Sequence, residues 1–247
     1  MTRVFGIVLA ATLLLGCQQA PADAQLNDQS REEVREIVRE YILENPEIIE
    51  DALIELQRRA RQRELSDYYT AIDANQAAIY EDENDPRVGP DDASVIIVEF
   101  MDYKCSYCRV AAEWVESVRE RYGDDVQFIF KEYPILGADS IEAARAALAA
   151  ERQGEEVYAA FHYALVSASG PLPTSRIDQL ASLAGVDVAQ MREDMNAPEI
   201  MQHIGDVRAL GQRMGVTGTP FFIVDGTVIQ GANEMALEQA LQDALNG

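Results

Sequence analysis

Two histidines, two lysines and three cysteines are all that this 247-residue chain holds of the residue types that most often carry site chemistry. Positive charge is scarce as well. Twenty Lys and Arg stand against 43 Asp and Glu, a formal net charge of −23. A surface so acidic offers a polyanion no footprint and argues against nucleic-acid binding. The shortage of histidine and cysteine argues against a metal centre. A structural zinc site takes four Cys or His ligands. Beyond Cys105 and Cys108 only His162, His203 and Cys17 remain, at no ligand spacing. An iron–sulfur cluster fails on the same count. No cofactor and no metal is expected, and both histidines, lying in helical stretches, read as surface or packing residues. The 48% hydrophobic content suits an ordinary globular core, with no internal repeat or low-complexity tract.

What the chain does hold is one Cys-x-x-Cys, Cys105-Ser106-Tyr107-Cys108. It lies where an apolar run, residues 95–100, gives way to a helical stretch from about residue 106 to 122. Two thiols at this spacing can close a disulfide and reopen it. The helix dipole and its free N–H groups favour a thiolate on the first cysteine. That is the chemistry of thiol–disulfide exchange.

The N-terminus reads as an export signal. Arg3 is followed by an apolar run over residues 4–15, too short to span a membrane as a mature helix. Leu14-Leu15-Gly16-Cys17 has the form of a lipobox, which predicts a lipoprotein signal over residues 1–16, a lipidated Cys17 and a tether over 17–29. Cleavage after Ala22-Asp23-Ala24 is the rival, giving a soluble periplasmic protein. Both place the domain in the cell envelope, where disulfides persist.

Residues 30–80 read as helical. Ser30-Arg31-Glu32-Glu33 has the capping-box pattern, Asn45-Pro46 restarts the helix, and arginines 58, 59, 61 and 63 form a solvated face. Leu65, Tyr69, Ile72, Gln76 and Ile79 then follow 4-3-4-3 spacing. That is either a seam for a partner helix or a face folded back on its own domain. Residues 81–94 read as a linker around Pro86, Gly89 and Pro90. From 95 the order is βαβ, with the second strand over 126–133. A helical block over 138–213 follows, broken at Gly170-Pro171-Leu172-Pro173 and around Gly185. A ββα tail closes the chain, with a hairpin around Asp225-Gly226 and a last helix over 233–245.

Gly218-Thr219-Pro220-Phe221 sets a proline directly before the hairpin, and an X-Pro bond is where a cis peptide costs least. At this point the chain resembles the DsbA family of thioredoxin-fold proteins over residues 86–247. The resemblance rests on Val98-Glu99-Phe100-Met101-Asp102-Tyr103, on the Cys-x-x-Cys, on Lys131-Glu132-Tyr133-Pro134 and on Thr219-Pro220. It implies an α/β thioredoxin fold with a helical insertion over about 138–213, preceded by an N-terminal helical segment. It further implies that Cys105 is the exposed nucleophile and Cys108 the buried resolving thiol. Pro220 would be the cis-proline facing them, with Thr219 before it. Glu99 would be the buried acid that exchanges protons with Cys108, and Lys104 and Lys131 would lie near the site. Tyr41-Ile42-Leu43-Glu44-Asn45-Pro46-Glu47-Ile48-Ile49 is similar to the N-terminal segment of ScsC-like members, which implies homo-oligomerisation through residues 30–80.

By that resemblance Cys105 attacks a substrate disulfide to form a mixed disulfide. Resolution by Cys108 gives reduction, resolution by a substrate thiol gives isomerisation, and the reverse direction donates a disulfide. The Ser-Tyr dipeptide lacks the histidine of strongly oxidising centres, and Thr219 precedes the proline as in isomerase and reductase branches. The expectation is an isomerase or reductase acting on exported cysteine-containing proteins, recharged by a membrane reductase. The alternatives are a DsbA-type dithiol oxidase with a quinone-linked membrane partner and, in another class, a holdase or Cu(I)-binding protein without turnover.

Overall fold

A computed structural model describes residues 27–247. The expected signal over 1–16, Cys17, the cleavage site after Ala24 and most of the tether lie outside the described residues. The chain divides into two compact units, Met1–Arg59 and Ala60–Gly247.

In the first unit, α1 (Asp28–Glu44) is capped by Asn27, whose Oδ1 accepts from the Ser30 N–H at 2.8 Å. The helix therefore starts before the expected capping box, because Asn caps as well as Ser and comes first. No residue of α1 is buried, and Val34, Ile37, Val38 and Tyr41 are all exposed. The next helix, α2 (Glu47–Ala74), opens past Asn45-Pro46. On it Arg58 and Arg59 both pair with Glu55 and are exposed, the solvated face that the spacing predicts.

The second unit is built on a five-stranded sheet in the order β1-β3-β2-β4-β5. β2 (Val95–Met101) and β3 (Val126–Glu132) run parallel, joined through α4 (Ser106–Tyr122) as a βαβ unit. β4 (Phe221–Val224) pairs antiparallel with β2, and β5 (Thr227–Gln230) closes the hairpin. Asp225 (φ 44°) and Gly226 (φ 83°) supply the positive dihedrals that a two-residue hairpin turn demands. The edge strand β1 (Arg87–Val88) lies inside the stretch expected to be linker and pairs antiparallel with β3. Two residues carry no readable period. Gly89 beside it (φ 113°) brings its backbone so near β3 that a Cβ would sit 2.4 Å from the Val126 carbonyl oxygen.

Strand alternation sorts the sheet into two faces. Ile97, Met101, Phe128, Phe130, Phe222 and Val224 share one hydrophobic cluster with α4 and with α10 (Glu234–Asn246). Val98, Phe100, Ile129, Phe221 and Ile223 share another with the end of α2, with α3 (Gln76–Tyr80) and with α9 (Pro198–Arg213). The insertion contains α5 (Ala138–Glu151), α6 (Glu155–Ser167), α7 (Thr174–Leu183), α8 (Val188–Asp194) and α9. It breaks at the two expected places and also at Arg152–Gly154 and at Met195–Ala197, the latter directly before Pro198 at the first turn of α9.

Between residues 65 and 80 the chain folds back on its own unit. Tyr68, Ile72 and Ile79 are buried, whereas Leu65 and Tyr69 are exposed. The inward tyrosine is thus Tyr68 and not Tyr69. Its ring packs 5.4 Å from that of Phe221, a contact that lies outside the 4-3-4-3 series. Among the described residues no helix is long and apolar enough to cross a membrane.

Candidate functional site

Cys105 is the N-cap of α4, with extended backbone, so its sulfur faces the free N–H groups of the first turn. The Asp102 carbonyl accepts from the Cys105 N–H at 2.9 Å. Asp102 itself is tied down, its Oδ1 accepting from Lys104 N–H and its Oδ2 from Ile135 and Leu136 N–H at 2.8–3.0 Å. The turn before the helix is therefore rigid at the point where it presents the sulfur. Cys105 and Cys108 are both free thiols. Cys105, expected to be exposed, is only 8% exposed because it packs beneath the Thr219 carbonyl. Cys108 is fully buried on the inward face of α4.

Thr219-Pro220 is a cis peptide bond, and the Cys105 thiol donates to the Thr219 carbonyl oxygen at 3.1 Å. As a thiolate the same sulfur accepts a hydrogen bond from Cys108, then from the Thr219 side chain and from the N–H groups of Cys108 and Tyr107. Together they outweigh partial burial and lower its pKa to about 5. Cys108 moves the other way. Burial, then its bond to Cys105 and the charge of Glu99, push it well above the ordinary thiol range.

Glu99 sits in the central strand between β3 and β4, paired with Phe130 and Phe222, and is 3% exposed. It is not a strand-edge carboxylate. Burial first and the Cys105 charge second raise its pKa to about 8. On the same face lies a second acid, Glu132, buried and accepting from the Tyr103 hydroxyl at 2.7 Å. That hydroxyl also lies 2.9 Å from His162 Nδ1, which Tyr158 approaches at 3.2 Å. Burial pushes Glu132 well up, and it pushes His162 down to about 3, so the imidazole is neutral at pH 7. Sequence reasoning read His162 as a surface or packing residue; it is buried, and its partners were missed. The inward alternation of Glu99 and Glu132 on adjacent strands was the available signal.

The two lysines part company. Lys104 pairs with Asp139 at 3.2 Å next to Cys105. Lys131, expected near the thiols, points to the opposite face of the sheet from Glu132. There it is fully buried against the Asp85 carboxylate and the Ala78 carbonyl. Asp85 also faces His203. Asp82, Asp85 and His203 are a group of possible metal ligands, but Asp82 Oδ2 lies 3.6 Å from Nδ1 and Asp85 Oδ1 3.3 Å from Nε2. The carboxylates approach different ring nitrogens, and Lys131 pairs with Asp85.

The arrangement can hold a thiolate, a buried second thiol and a buried acid within one low-dielectric chamber, with a backbone carbonyl at its mouth.

The sequence matches the DSBA-like thioredoxin domain family over residues 96–245 and the copper resistance protein ScsC N-terminal domain family over residues 31–63. Among solved structures it is similar to Salmonella enterica Typhimurium BcfH, with a TM-score of 0.74 and 30% identity, covering 87% of this chain and 96% of that one. A thioredoxin-like oxidoreductase from Silicibacter pomeroyi is 38% identical with a TM-score of 0.65, covering 70% of this chain and 99% of its own. Proteus mirabilis ScsC in a transitional conformation is 27% identical with a TM-score of 0.66, covering 91% and 99%. The first curated relatives are Na(+)/H(+) antiporters from Mycobacterium sp., 29% identical over 148 residues. The chain spans about a quarter of the length of those relatives, 24%.

Proposed function

This chain belongs to the DSBA-like thioredoxin domain family, and on that premise we propose that it is a cell-envelope thiol:disulfide oxidoreductase working as a disulfide isomerase or reductase on exported proteins. The observation that carries the reading is the asymmetry of the pair: Cys105 with its pKa lowered to about 5 beside a Cys108 that burial keeps protonated. Cys105 is the nucleophile. Its thiolate attacks a substrate disulfide, forming one new S–S bond and releasing one substrate thiolate. A second substrate thiol then displaces Cys105 with the correct pairing, or Cys108 displaces the substrate, leaving it reduced and the Cys105–Cys108 pair oxidised. Glu99 takes the Cys108 proton in that last step, and Thr219-Pro220 offers its backbone to the substrate chain. A thiolate populated at neutral pH is ready to attack without prior oxidation, which suits isomerisation. A dithiol oxidase is the second reading, because the same stabilisation of the reduced form makes the disulfide a better oxidant.

The export signal supports an envelope location, and isomerisation requires a membrane reductase to keep the pair reduced. Exposed apolar side chains along α1 support homo-oligomerisation through the first unit. The decisive experiment compares scrambled-RNase refolding, insulin reduction and oxidation of a dithiol substrate for wild type and Cys105→Ala. Refolding and reduction that depend on Cys105 are expected. Equal activity in the two proteins would sink the redox reading in favour of a holdase, and rapid dithiol oxidation without refolding would reverse the direction.

A further inference from the structure

The segment that carries the Thr219 carbonyl to Cys105, residues 215–219, belongs to no strand or helix. Its backbone is pinned at both sides. The Val216 N–H donates to the Gly211 carbonyl of α9 at 2.8 Å, and the Gly231 N–H donates to the Pro220 carbonyl at 2.8 Å. Beside those pins the support comes from tyrosines. The Tyr133 hydroxyl, buried, donates to the Val216 carbonyl at 3.2 Å. Tyr68 adds a weaker contact, its hydroxyl 3.4 Å from the Gly215 carbonyl while accepting from Gln230 Nε2 at 3.1 Å.

Tyr133 has little freedom to be elsewhere. Its N–H donates to the Met101 carbonyl at 2.9 Å, and its ring stands edge-on to Phe100 at 5.8 Å. The ring lies over Gly211. A Cβ there would meet Tyr133 Cε2 at 2.5 Å and the hydroxyl at 3.0 Å. The absent side chain at Gly211 is the slot that lets the hydroxyl reach Val216. Burial raises the pKa of this phenol, so it remains a donor at neutral pH.

We propose that Tyr133 is a positioning residue for thiol–disulfide exchange. Seated in the slot at Gly211, it holds Val216 and thereby fixes Thr219 against the Cys105 sulfur and against the incoming substrate backbone. The proposal rests on the reading of Cys105 as the attacking thiol. Loss of the hydroxyl frees the 215–219 segment, weakens the Thr219 hydrogen bond to the thiolate and blurs the edge that a substrate chain meets. A residue that served packing alone would change stability and neither of those.

The test uses the full chain, with a disulfide-bonded peptide as substrate and the ultraviolet absorbance of the Cys105 thiolate as a second readout. Tyr133→Phe removes one oxygen and keeps the ring. It is expected to raise KM roughly two- to tenfold, the span of one hydrogen bond, with kcat held within about twofold. The thiolate titration midpoint moves up from about 5. Gly211→Ala displaces the ring and moves both readouts the same way, and the two changes combined do not add. Ile79→Val, which trims a buried side chain of the same cluster away from the segment, should lower stability and move neither. A Tyr133→Phe protein that behaves like Ile79→Val overturns the proposal. Wild-type activity in Cys105→Ala would instead overturn the reading beneath it.

Discussion

Acidifying the reduced protein from pH 7 to pH 5 should remove the stabilising contribution of one atom, the Cys105 sulfur, while the opposite titration of Glu99 returns stability over the same range. The thiol titrates near 9.0 when unperturbed and at about 5 in the fold. A depressed pKa contributes stability that is complete above the unfolded value and lost as pH falls through the folded one. At pH 7 the thiolate is two units above its folded midpoint, about 2.7 kcal/mol at 1.36 kcal/mol per unit; at pH 5 about 0.4 kcal/mol remains. Water reaches the rim of the site and reduces the difference to about 2 kcal/mol. Urea denaturation of reduced wild type and of Cys105→Ala, each at both pH values, reads this quantity together with the coupling of Cys105 to Glu99, since packing lost to alanine cancels between pH values. The wild-type advantage should grow by about 2 kcal/mol from pH 5 to pH 7. The oxidised pair has no thiolate and should lack the step. At 30 mV per 1.4 kcal/mol the same energy raises the reduction potential by about 40 mV over an unperturbed pair. A thiolate midpoint near 9, or a wild-type advantage that is flat between the two pH values, refutes the reasoning.

Glu99→Gln should stabilise the protein by about 3 kcal/mol at pH 7. A carboxyl raised from 4.5 to about 8 leaves stability intact below pH 4.5 and drains it progressively up to pH 8, and the amide escapes that loss. The same variant should slow resolution of a mixed disulfide by Cys108 roughly a hundredfold in single-turnover mixing, for want of a proton acceptor; a destabilised Glu99→Gln protein at pH 7 contradicts the burial argument. Lys131→Met strands the buried Asp85 carboxylate and should cost about 3–5 kcal/mol in urea while leaving exchange per folded molecule unchanged. A loss under about 1 kcal/mol would mean that Asp85 does not depend on it. Replacing Ile37 and Tyr41 together by Glu places charge on the exposed apolar face of α1 and should reduce the light-scattering mass to that of one chain; an unchanged mass removes that face from the assembly.

The βαβ and ββα halves were legible because each strand is a short apolar run bounded by turn residues and each long helix has a clear period. The thiol pair was legible because Cys-x-x-Cys is local in sequence. Other features are contacts between distant residues, and periodicity is silent on those. β1 is two residues long and exists only through its pairing with β3. Tyr68 replaced Tyr69 as the inward residue because the partner surface, Phe221 and Gly215, lies some 150 positions away, with the Tyr68 hydroxyl bonded across a separation of 147. Lys131 and Glu132 were read as one motif, yet a strand sends neighbours to opposite faces. The lysine went to Asp85 and the glutamate to Tyr103, and only the register of β3 tells them apart.

That alternation leaves the chamber around the thiols with little charge to spare. Lys131 is spent on the far face, His162 is neutral, and burial disfavours the charged form of Glu132. One negative charge is stable there, and the hydrogen-bond donors at the α4 N-terminus assign it to Cys105. While it stays, its field helps hold the proton on Glu99 and on Cys108. When Cys105 enters a mixed disulfide its charge leaves with the departing thiolate. On the proposed mechanism the field on Glu99 then falls, removing the smaller of the two causes that raise its pKa and favouring transfer of the Cys108 proton to it at the step that needs a second thiolate. Burial alone would keep Cys108 inert throughout. In this reading the coupling of Glu99 to the Cys105 charge times its release, so that the resolving thiol is silent in the resting protein and active only after a substrate has been captured.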